Sequence, residues 1–263
     1  MAKITEFAIR NLYGYRNITI PIKNNRVVLV GVNGLGKTTI INLLYCFLSR
    51  QWQELSKYQF SEISVKIEGE RIALSRNDIE SELKFKTKNK KLTEVDKYLS
   101  EKIEYQLLYL PTYRRIEKEL KIIFPDLDEY NILKKQESAI TQFVEVCNRY
   151  LEDKNLYYDD KDYTLEIKLY DKTPLKLSML SSGEKQIVSL FYHIYLGGEK
   201  QYIILLDEPE LSLSVEWQKH FLPDILATKR CLFLAAVTHS PFIFQNELDE
   251  YAEDIREYIQ DNK

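Results

Sequence analysis

One eight-residue motif constrains the fold of this chain more than any other feature. The sequence GVNGLGKT at 31–38 fits the pattern G-x-x-x-x-G-K-[ST], and it lies between the β-prone run Val27–Val30 and the helix-length segment Thr38–Leu48. Glycines let a backbone wrap closely around phosphate oxygens, and a helix N-terminus adds unpaired N–H groups and partial positive charge. The order of strand, loop and helix therefore predicts an α/β fold with a phosphate-binding loop.

The side chains of this loop predict its ligand. Lys37 can reach the β- and γ-phosphates of a nucleotide, and the Thr38 hydroxyl can ligate Mg²⁺. A chance glycine-rich turn before a helix is the alternative, but it would also have to place Lys37 and Thr38 in register with the correct flanks. We therefore expect ATP as the ligand. The residues expected to contact it here are Gly31, Asn33, Gly34, Gly36, Lys37, Thr38 and Thr39.

A pair of carboxylates follows a second apolar run. Tyr202–Leu206 has the composition of a strand buried on both faces, and it leads directly into DEPE at 207–210. Open α/β sheets bind ligands at the carboxyl ends of their strands. We expect Asp207 to hold Mg²⁺, directly or through water, and Glu208 to act as general base toward the attacking water. Alone, the motif could equally be an acidic turn at a strand end.

Two further motifs complete an order that resembles a known family. The sequence LSSGE at 180–184 precedes an apolar-striped segment, and THS at 238–240 follows the β-prone run Leu232–Val237. Alone, LSSGE is also an ordinary helix start with small capping residues and an early acid. Together with the phosphate loop and the DEPE motif, it resembles an ABC-type ATPase head of the branch that includes RecF, SMC proteins and the coiled-coil ATPases of double-strand-break repair.

The resemblance implies a site that two copies of the chain complete together. In this family the signature of one subunit caps the γ-phosphate held by the other, so Ser181, Ser182 and Gly183 are expected to act in trans. This implies a head-to-tail homodimer or a higher homo-oligomer. His239 resembles the switch histidine, which contacts the γ-phosphate and helps to place the water. The implied activity is Mg²⁺-dependent hydrolysis of ATP to ADP and phosphate.

The family's other loops are matched less clearly. Tyr15, in the segment NLYGY at 11–15, resembles the loop beside the adenine, where a tyrosine either stacks on the base or simply packs at the surface. The glutamine loop is not clearly identifiable, and Gln106 and the segment 109–115 are candidates. Ser214 stands where many relatives carry a histidine, which puts a role for that side chain across the interface in doubt.

The remaining sequence predicts one domain with an inserted region. A chain of 263 residues suits a single α/β unit. We expect residues 1–263 to form one ABC ATPase domain with a mixed sheet, and residues 77–154, rich in Lys, Glu, Tyr and Leu, to form a mainly helical insertion. The other predicted elements are strands at 4–9, 18–22, 63–67, 71–74, 163–170 and 232–237 and a helix at 182–195.

Composition and charge limit the partners. The 37 basic residues against 40 acids give a net charge of −3, so contact with nucleic acid would need a local patch. A dense basic run and two arginines are ambiguous between a solvated surface and such a patch: Lys84, Lys86, Lys88, Lys90, Lys91, Arg114 and Arg115. Three scattered cysteines argue against a disulfide framework, and no segment approaches the ~18 apolar residues that span a bilayer. We expect a cytoplasmic protein without membrane contact.

Departures from the ABC transporters direct the functional prediction. Transport ATPases usually carry serine or threonine at the position of Glu210, and the short distance from Gly36 to Leu180 leaves no room for the long arm of SMC proteins. YLPTYRRIE at 109–117, FVEVCNRYLEDK at 143–154 and LSSGEKQIVSLF at 180–191 resemble ATPase subunits of the OLD-like, Septu and PARIS anti-phage systems. This implies a sensor or regulator of a separate effector, a nuclease or toxin. A RecF-like DNA-repair ATPase and a scaffold with very slow turnover are the alternatives.

Overall fold

Three β-sheets and the helices between them form the part of the chain that the computed structural model describes, namely residues 3–85, 89–103, 105–111, 137–161, 164–198 and 200–262. The strands are β1 (Ile4–Leu12), β2 (Arg16–Pro21), β3 (Arg26–Val30), β4 (Glu62–Ile67), β5 (Glu70–Ser75), β6 (Gln106–Leu110), β7 (Lys154–Asp159), β8 (Thr164–Leu169), β9 (Pro174–Leu175), β10 (Tyr202–Asp207), β11 (Cys231–Thr238), β12 (Ala252–Asp254) and β13 (Ile259–Asp261). The α-helices are α1 (Lys37–Leu48), α2 (Trp52–Leu55), α3 (Arg76–Phe85), α4 (Lys90–Lys102), α5 (Glu137–Asn148), α6 (Ser182–Leu196) and α7 (Val215–Ala227).

The first sheet is antiparallel, with the strand order β13-β2-β1-β4-β5. Strands β4 and β5 form the hairpin that the sequence predicted, with Ile67 paired to Glu70. The two residues between them, Glu68 and Gly69, have φ angles of 53° and 86°. Two consecutive left-handed residues make a type I′ turn, whose twist matches that of the strands it joins.

The second sheet carries the two predicted nucleotide motifs. Its strands run parallel in the order β12-β3-β11-β10-β6. Strand β3 leads into the phosphate loop and α1, β10 ends at Asp207, and β11 ends at Thr238. Because these strands are parallel, their carboxyl ends meet at the same edge of the sheet, which is where open α/β sheets place their ligands.

Strand β10 lies between two hydrophobic cores. All six of its residues are buried, as the apolar run predicted for a strand covered on both faces. Side chains alternate across a strand, so Ile203 packs in the core that contains α1, and Ile204 packs in the core that contains α6. The strand therefore holds Asp207 on a rigid support between the phosphate-loop helix and the signature helix.

The predicted helical insertion at 77–154 needs one correction. Its described residues include α4, α5 and most of α3, but they also include β6, which pairs in parallel with β10 along its whole length. Leu107 packs against one core and Leu108 against the other, so burial beside β10 overrides the lysine- and glutamate-rich composition around the strand. This part of the region belongs to the central sheet. The boundaries of domain and insertion otherwise stay predictions.

A small third sheet, in the order β7-β8-β9, stands before the signature helix. The sequence predicted β8, although Tyr163 lies outside the described residues, and it missed β7. Helix α5 packs against both α6 and β7. The whole is a mixed α/β fold, as expected. Within the described ranges, no helix combines the length and the apolar character needed to cross a bilayer.

Candidate functional site

The phosphate loop ends at the N-terminus of α1. Gly34 and Gly36 have φ angles of 89° and 85°, a left-handed conformation that residues with a side chain rarely adopt. The Ile40 N–H donates back to the Gly36 carbonyl at 3.0 Å, and the N–H groups of the first turn before it have no carbonyl of their own helix to bind. Gly31, Asn33, Gly34 and Gly36 thus form a loop whose following helix presents donors suited to phosphate oxygens.

Lys37 is folded onto the loop that it is predicted to serve. Its Nζ donates to the carbonyl oxygens of Gly31 at 2.7 Å and Val32 at 3.1 Å, and the residue is buried. Two carbonyls satisfy an ammonium group only in part, because neither carries a full negative charge. A phosphate entering the loop offers that charge, so the same ammonium can turn to it over a short distance. Thr39 follows in the first turn of α1, partly buried.

The structure joins the phosphate loop to the end of β10. The Thr38 hydroxyl donates to the Asp207 carboxylate at 3.0 Å, although the two residues are 169 positions apart. Asp207 is buried. Across the described ranges, no group of three or more His, Cys, Asp and Glu side chains could hold a metal ion. A hydroxyl and one carboxylate nevertheless fit Mg²⁺, which usually takes one or two protein oxygens and completes its shell with phosphates and water.

Glu208 occupies a strained position immediately after β10. It adopts a left-handed conformation, with φ 50°, that ends the strand and starts the short 3-10 helix Pro209–Ser212. Its N–H donates to the Val237 carbonyl at 2.9 Å, which ties it to the end of β11. The side chain is partly exposed, and its Oε1 lies 3.7 Å from His239 Nδ1. The two groups predicted to handle the water are therefore neighbours.

A second carboxylate, which sequence reasoning did not assign to the site, contacts His239 more closely. Glu210 Oε1 accepts the His239 backbone N–H at 3.0 Å and lies 3.2 Å from its Nδ1. The sequence offered one signal for this residue, because Glu210 is a third acid after Asp207 and Glu208. In the sequence it indicates only a difference from transport ATPases. Its side chain is only 5% exposed, whereas that of His239 is 40% exposed.

The segment on the other side of His239 is also fixed. The Ser240 hydroxyl donates to Gln218 Oε1 at 2.6 Å, and the Ser240 N–H donates to Thr238 Oγ1 at 3.0 Å. Gln218 is buried in α7 and donates through Nε2 to the Leu213 carbonyl at 2.9 Å. Gln218 therefore connects the segment after β11 to the segment after β10, a role that no sequence motif indicated.

The signature begins α6 with a capping box. Ser181 Oγ accepts the Glu184 N–H at 3.3 Å, and Glu184 Oε2 accepts the Ser181 N–H at 2.7 Å. Lys154, at the start of β7, donates to Glu184 Oε1 at 2.7 Å. Burial by itself raises the pKa of Glu184, but the ion pair with Lys154 and the hydrogen bonds with Ser181 outweigh it, so this pKa lies below its ordinary value.

Gly183 is needed for packing inside this chain. A Cβ at this position would lie 2.1 Å from the Ser212 carbonyl oxygen, a distance that no real contact allows. The signature therefore presses against the 3-10 helix that follows Glu208. Ser181 is exposed and Ser182 partly exposed. The contacts described for the signature include Lys154 and Ser212, and Ser181 is open to solvent.

Tyr15 lies next to the phosphate loop. The Arg16 guanidinium is 5.2 Å from the centre of the Tyr15 ring, and its Nη1 donates to the Leu35 carbonyl at 3.4 Å. Arg16 also pairs with Asp261 at 2.9 Å. Because the Tyr15 ring is exposed, it offers a face to an aromatic base. Sequence reasoning missed Arg16, and no motif marks it.

Two other candidates are not placed at the site. Gln106 pairs with Tyr202 at the amino end of β10, the end of the strand opposite Asp207, so it is wrong as a glutamine-loop residue. The carboxyl end of β6, at Leu110, reaches the edge that holds the motifs. Most of the remaining glutamine-loop candidate, with Arg114 and Arg115, lies outside the described residues, as do Lys86 and Lys88 of the basic run. Lys90 pairs loosely with Glu94 on α4, which fits a solvated surface.

Comparisons with protein families match two parts of the chain. The family model described as "AAA ATPase domain" matches residues 2–85. The model described as "AAA domain, putative AbiEii toxin, Type IV TA system" matches residues 111–244, half of the chain. A search of curated proteins gave no match.

Among solved structures, the chain is similar to SMC head domains. An SMC head bound to the C-winged helix domain of ScpA is 15% identical, with a TM-score of 0.56, over 91% of this chain and 90% of that one. The SMC head domain from Thermotoga maritima is 16% identical, with a TM-score of 0.55, over 95% and 92%. An SMC head with an extended coiled coil, bound to the C-terminal domain of ScpA derived from Pyrococcus furiosus, is 13% identical, with a TM-score of 0.51, over 92% and 91%. At such identities the likeness concerns the fold.

Proposed function

We propose that this chain, which belongs to the family described as "AAA domain, putative AbiEii toxin, Type IV TA system", binds ATP with Mg²⁺ and hydrolyses it in a head-to-tail pair, as the regulator of a separate effector protein. The expected resemblance to an ABC-type ATPase of the RecF and SMC branch is confirmed, since the matched families are AAA domains and the fold is that of SMC heads. The metal, the pairing and the effector are the proposed parts.

The contact between Thr38 and Asp207 carries the proposal. A hydroxyl from the first turn of α1 and a carboxylate from the end of β10 meet at 3.0 Å, beside a loop that suits phosphate oxygens. Mg²⁺ bound to both would neutralise charge that develops on the β- and γ-phosphates. A magnesium nucleotide would account for a hydroxyl and a carboxylate that meet at this edge of the sheet.

Each side chain of the site then has a separate task. Lys37 leaves the carbonyls of its own loop and pairs with the phosphates, which orients the γ-phosphate. Glu208 accepts a proton from the attacking water, for which it needs reach more than an unusual pKa. His239, exposed beside it, contacts the γ-phosphate and limits where the water can stand. The Tyr15 ring covers the base.

Exposed apolar side chains around the site support the pairing of two copies. Val32 of the phosphate loop is 63% exposed, and Met179, just before the signature, is 65% exposed. Leu211, Val215 and Phe242, from the segments after β10 and β11, are also exposed. Large apolar residues that are exposed in the segments carrying functional motifs commonly mark an interface. A second copy placed head to tail would cover them and bring its Ser181 to the first copy's nucleotide.

The regulator role rests on the family and on the head-like fold. The matched family is described with a toxin of a type IV toxin–antitoxin system, and two of the similar SMC heads were solved with ScpA domains bound. A head that changes its pairing with ATP can hold or release such a protein partner, because binding to one nucleotide state shifts the equilibrium between states. This part is tested by co-purifying the tagged chain with the products of its neighbouring genes, once in the presence of ATP and once in the presence of ADP. A partner held equally in both nucleotide states would contradict it.

Purified chain with labelled ATP tests the activity itself. We expect binding and phosphate release with Mg²⁺, and no release after the metal is removed with EDTA. Lys37→Ala should lose most ATP affinity because a charge and a donor vanish at the β- and γ-phosphates. Lys102→Ala is the matched control, since Lys102 pairs with Glu68 on the surface. Wild-type affinity in Lys37→Ala would overturn the assignment of the phosphate loop.

A further inference from the structure

The proposed reaction leaves one buried carboxylate at the site without a task. Glu210 Oε1 accepts the His239 backbone N–H at 3.0 Å and stands 3.2 Å from Nδ1 of the same residue. A single oxygen thus accepts the backbone N–H of an exposed histidine and lies close to its ring nitrogen. A contact of this kind restricts rotation of the imidazole ring, and it is expected where the ring must keep a fixed orientation.

Glu208 and Glu210 differ in what they can do for His239. The 3.7 Å from Glu208 Oε1 to Nδ1 is too long for a hydrogen bond, whereas the 3.2 Å from Glu210 is within range. Glu208 is also the more exposed of the two, so it can face water. The geometry therefore separates two tasks, one carboxylate for the water and the other for the imidazole.

A carboxylate oxygen 3.2 Å from Nδ1 also favours one tautomer. A neutral imidazole carries its proton on one nitrogen only, and a carboxylate at Nδ1 keeps the proton there. Nε2 is then the nitrogen left to face the nucleotide. Catalytic histidines in hydrolases are oriented by a carboxylate on the same principle.

The second oxygen of Glu210 argues against a role in stability alone. Oε2 is buried, and no hydrogen bond from the described residues reaches it. A buried carboxylate oxygen without a donor lowers stability by about 1–3 kcal/mol, or more because it is charged. An apolar residue would fill this space at lower cost. A carboxylate at this position is better explained by what it does for His239.

The backbone next to His239 has support in addition to its hydrogen bond with Glu210. Ser240 is bound to Gln218 and to Thr238, so the end of β11 would keep its path without the carboxylate. Removing Glu210 should then free the ring while leaving the segment in place. This makes the side-chain contact testable without dismantling the site.

We propose that Glu210 is a positioning residue that fixes the Nδ1–H tautomer of His239 and directs its Nε2 to the γ-phosphate of ATP bound in the same chain. The part that concerns the γ-phosphate rests on the proposed ATPase function. The part that concerns the tautomer does not, because the contact exists between residues of the protein alone.

Kinetics of two variants test the first part. Glu210→Ala should lower kcat roughly 10²-fold, the usual effect of a misplaced catalytic group, with ATP affinity unchanged. Glu210→Gln keeps a carbonyl acceptor for the His239 N–H groups and should recover most of the rate. The double variant Glu210→Ala with His239→Ala should be no slower than His239→Ala, because the two residues act as one unit. Glu247→Ala, an exposed glutamate a few residues further on, is the control.

Nitrogen-15 NMR of labelled histidines tests the second part without nucleotide. The chain has three histidines, and His239→Ala identifies the signals of His239. Above the pH at which imidazole is protonated, the wild type should show Nδ1 bearing the proton, and Glu210→Ala should shift the proton to Nε2. Thermal unfolding of each variant confirms that it is folded. If Glu210→Ala does not fold, Glu210→Leu, which fills the buried space without an acceptor, takes its place.

The outcomes separate the two proposals. A wild type that does not hydrolyse ATP would overturn the ATPase proposal, yet the tautomer shift would still support the contact. Three results would each overturn the role of Glu210. The first is an unchanged tautomer in Glu210→Ala, and the second is a wild-type kcat in that variant. The third is a double variant that is slower than His239→Ala by the full factor seen for Glu210→Ala. Failure of Glu210→Gln to recover activity would also count against it, since that variant keeps the acceptor.

Discussion

The phosphate-loop half and the signature half of the site are built in different ways. In the phosphate-loop half, Lys37, Thr38, Asp207, Glu208 and His239 meet at one edge of the parallel sheet, and contacts such as the 3.0 Å bond from Thr38 to Asp207 join motifs far apart in sequence. In the signature half, Ser181 is held by its own helix through Glu184, and Glu184 is held by Lys154. The first half is assembled around a place for a nucleotide, and the second presents a serine to solvent.

This difference teaches where each half should act. The first half brings Thr38 and Asp207 together beside the phosphate loop, so we expect it to bind the nucleotide. In the second half, Ser181 is held by a capping box and is exposed, so we expect it to act on the nucleotide of another copy. Gly183 packs on Ser212, just beyond Glu208, so movement at one half reaches the other through a direct contact. Variants in the two halves should therefore separate binding from turnover.

Glu208→Gln should give the largest effect on turnover. Removal of the positioned base should slow hydrolysis by roughly 10²–10⁴-fold while ATP binding stays intact, because the amide keeps the size but cannot take the proton. Phosphate release under single-turnover conditions measures it, and a long-lived ATP-bound dimer should accumulate. Glu216→Gln is the matched control, since Glu216 is an exposed glutamate paired with Lys219 on α7. Release at the wild-type rate would show that another residue handles the water.

Tyr15→Ala tests how far the phosphate-loop half extends toward the base. Stacking of a base on an aromatic ring is worth about 1–3 kcal/mol, so ATP affinity should fall by roughly 10-fold. Tyr15→Phe keeps the ring and should bind as the wild type does. Tyr170→Ala, at an exposed tyrosine after β8, is a control away from the loop. Equal affinity in Tyr15→Ala would mean that Tyr15 only packs at the surface.

Lys154→Met probes the support of the signature half. It leaves the Glu184 carboxylate buried without its cation, which should lower the free energy of unfolding by about 1–3 kcal/mol at neutral pH. ATP affinity should not change, whereas turnover should fall because Ser181 is held less firmly. Urea unfolding and ATP titration measure the two effects. Lys168→Met, which removes an exposed pair with Glu166 on β8, should cost less than about 1 kcal/mol.

The effect of Lys154→Met should depend on pH with a definite sign. The pKa of Glu184 in the wild type lies below its ordinary value because the ion pair with Lys154 and the hydrogen bonds with Ser181 outweigh burial. A lowered pKa stabilises the fold above the ordinary carboxyl value of about 4.3, and this stability is lost as the pH falls through the lowered pKa. The difference between wild type and Lys154→Met should therefore shrink below that pH. A constant difference would contradict the ion pair as its cause.

The sequence predicted the phosphate-loop half better than the signature half. The motifs at 31–38 and 207–208 have fixed spacing and lie after recognisable strands, so local pattern sufficed. The ion pair between Lys154 and Glu184 joins residues from different elements, so no local pattern predicts it. Strand β7 itself was missed because its pairing with β8 depends on tertiary context. The same holds for β6, whose place beside β10 no local pattern revealed.

Residues that act through others were also hidden from the sequence. Glu210 was visible as an unusual acid, but only the fold shows that it reaches His239. Gln218 and Arg16 belong to no motif, and their contacts with Ser240 and Leu35 follow from how helices and strands pack. Motifs identify groups that touch a ligand, whereas the groups that hold them are set by packing.

Mixing two inactive variants tests most directly whether the halves of one chain serve different nucleotides. Ser181→Arg should bind ATP and fail to hydrolyse it, because bulk and positive charge at the signature block closure on the other copy. Lys37→Ala should fail to bind. In a head-to-tail heterodimer, one interface carries both lesions and the other carries neither. Phosphate release should therefore reappear on mixing. With random pairing of the two variants, it should reach about a quarter of the wild-type rate or less. No recovery, with heterodimers shown to form by native mass spectrometry, would contradict shared sites that work independently, and would favour a self-contained site or obligatory cooperation between both sites.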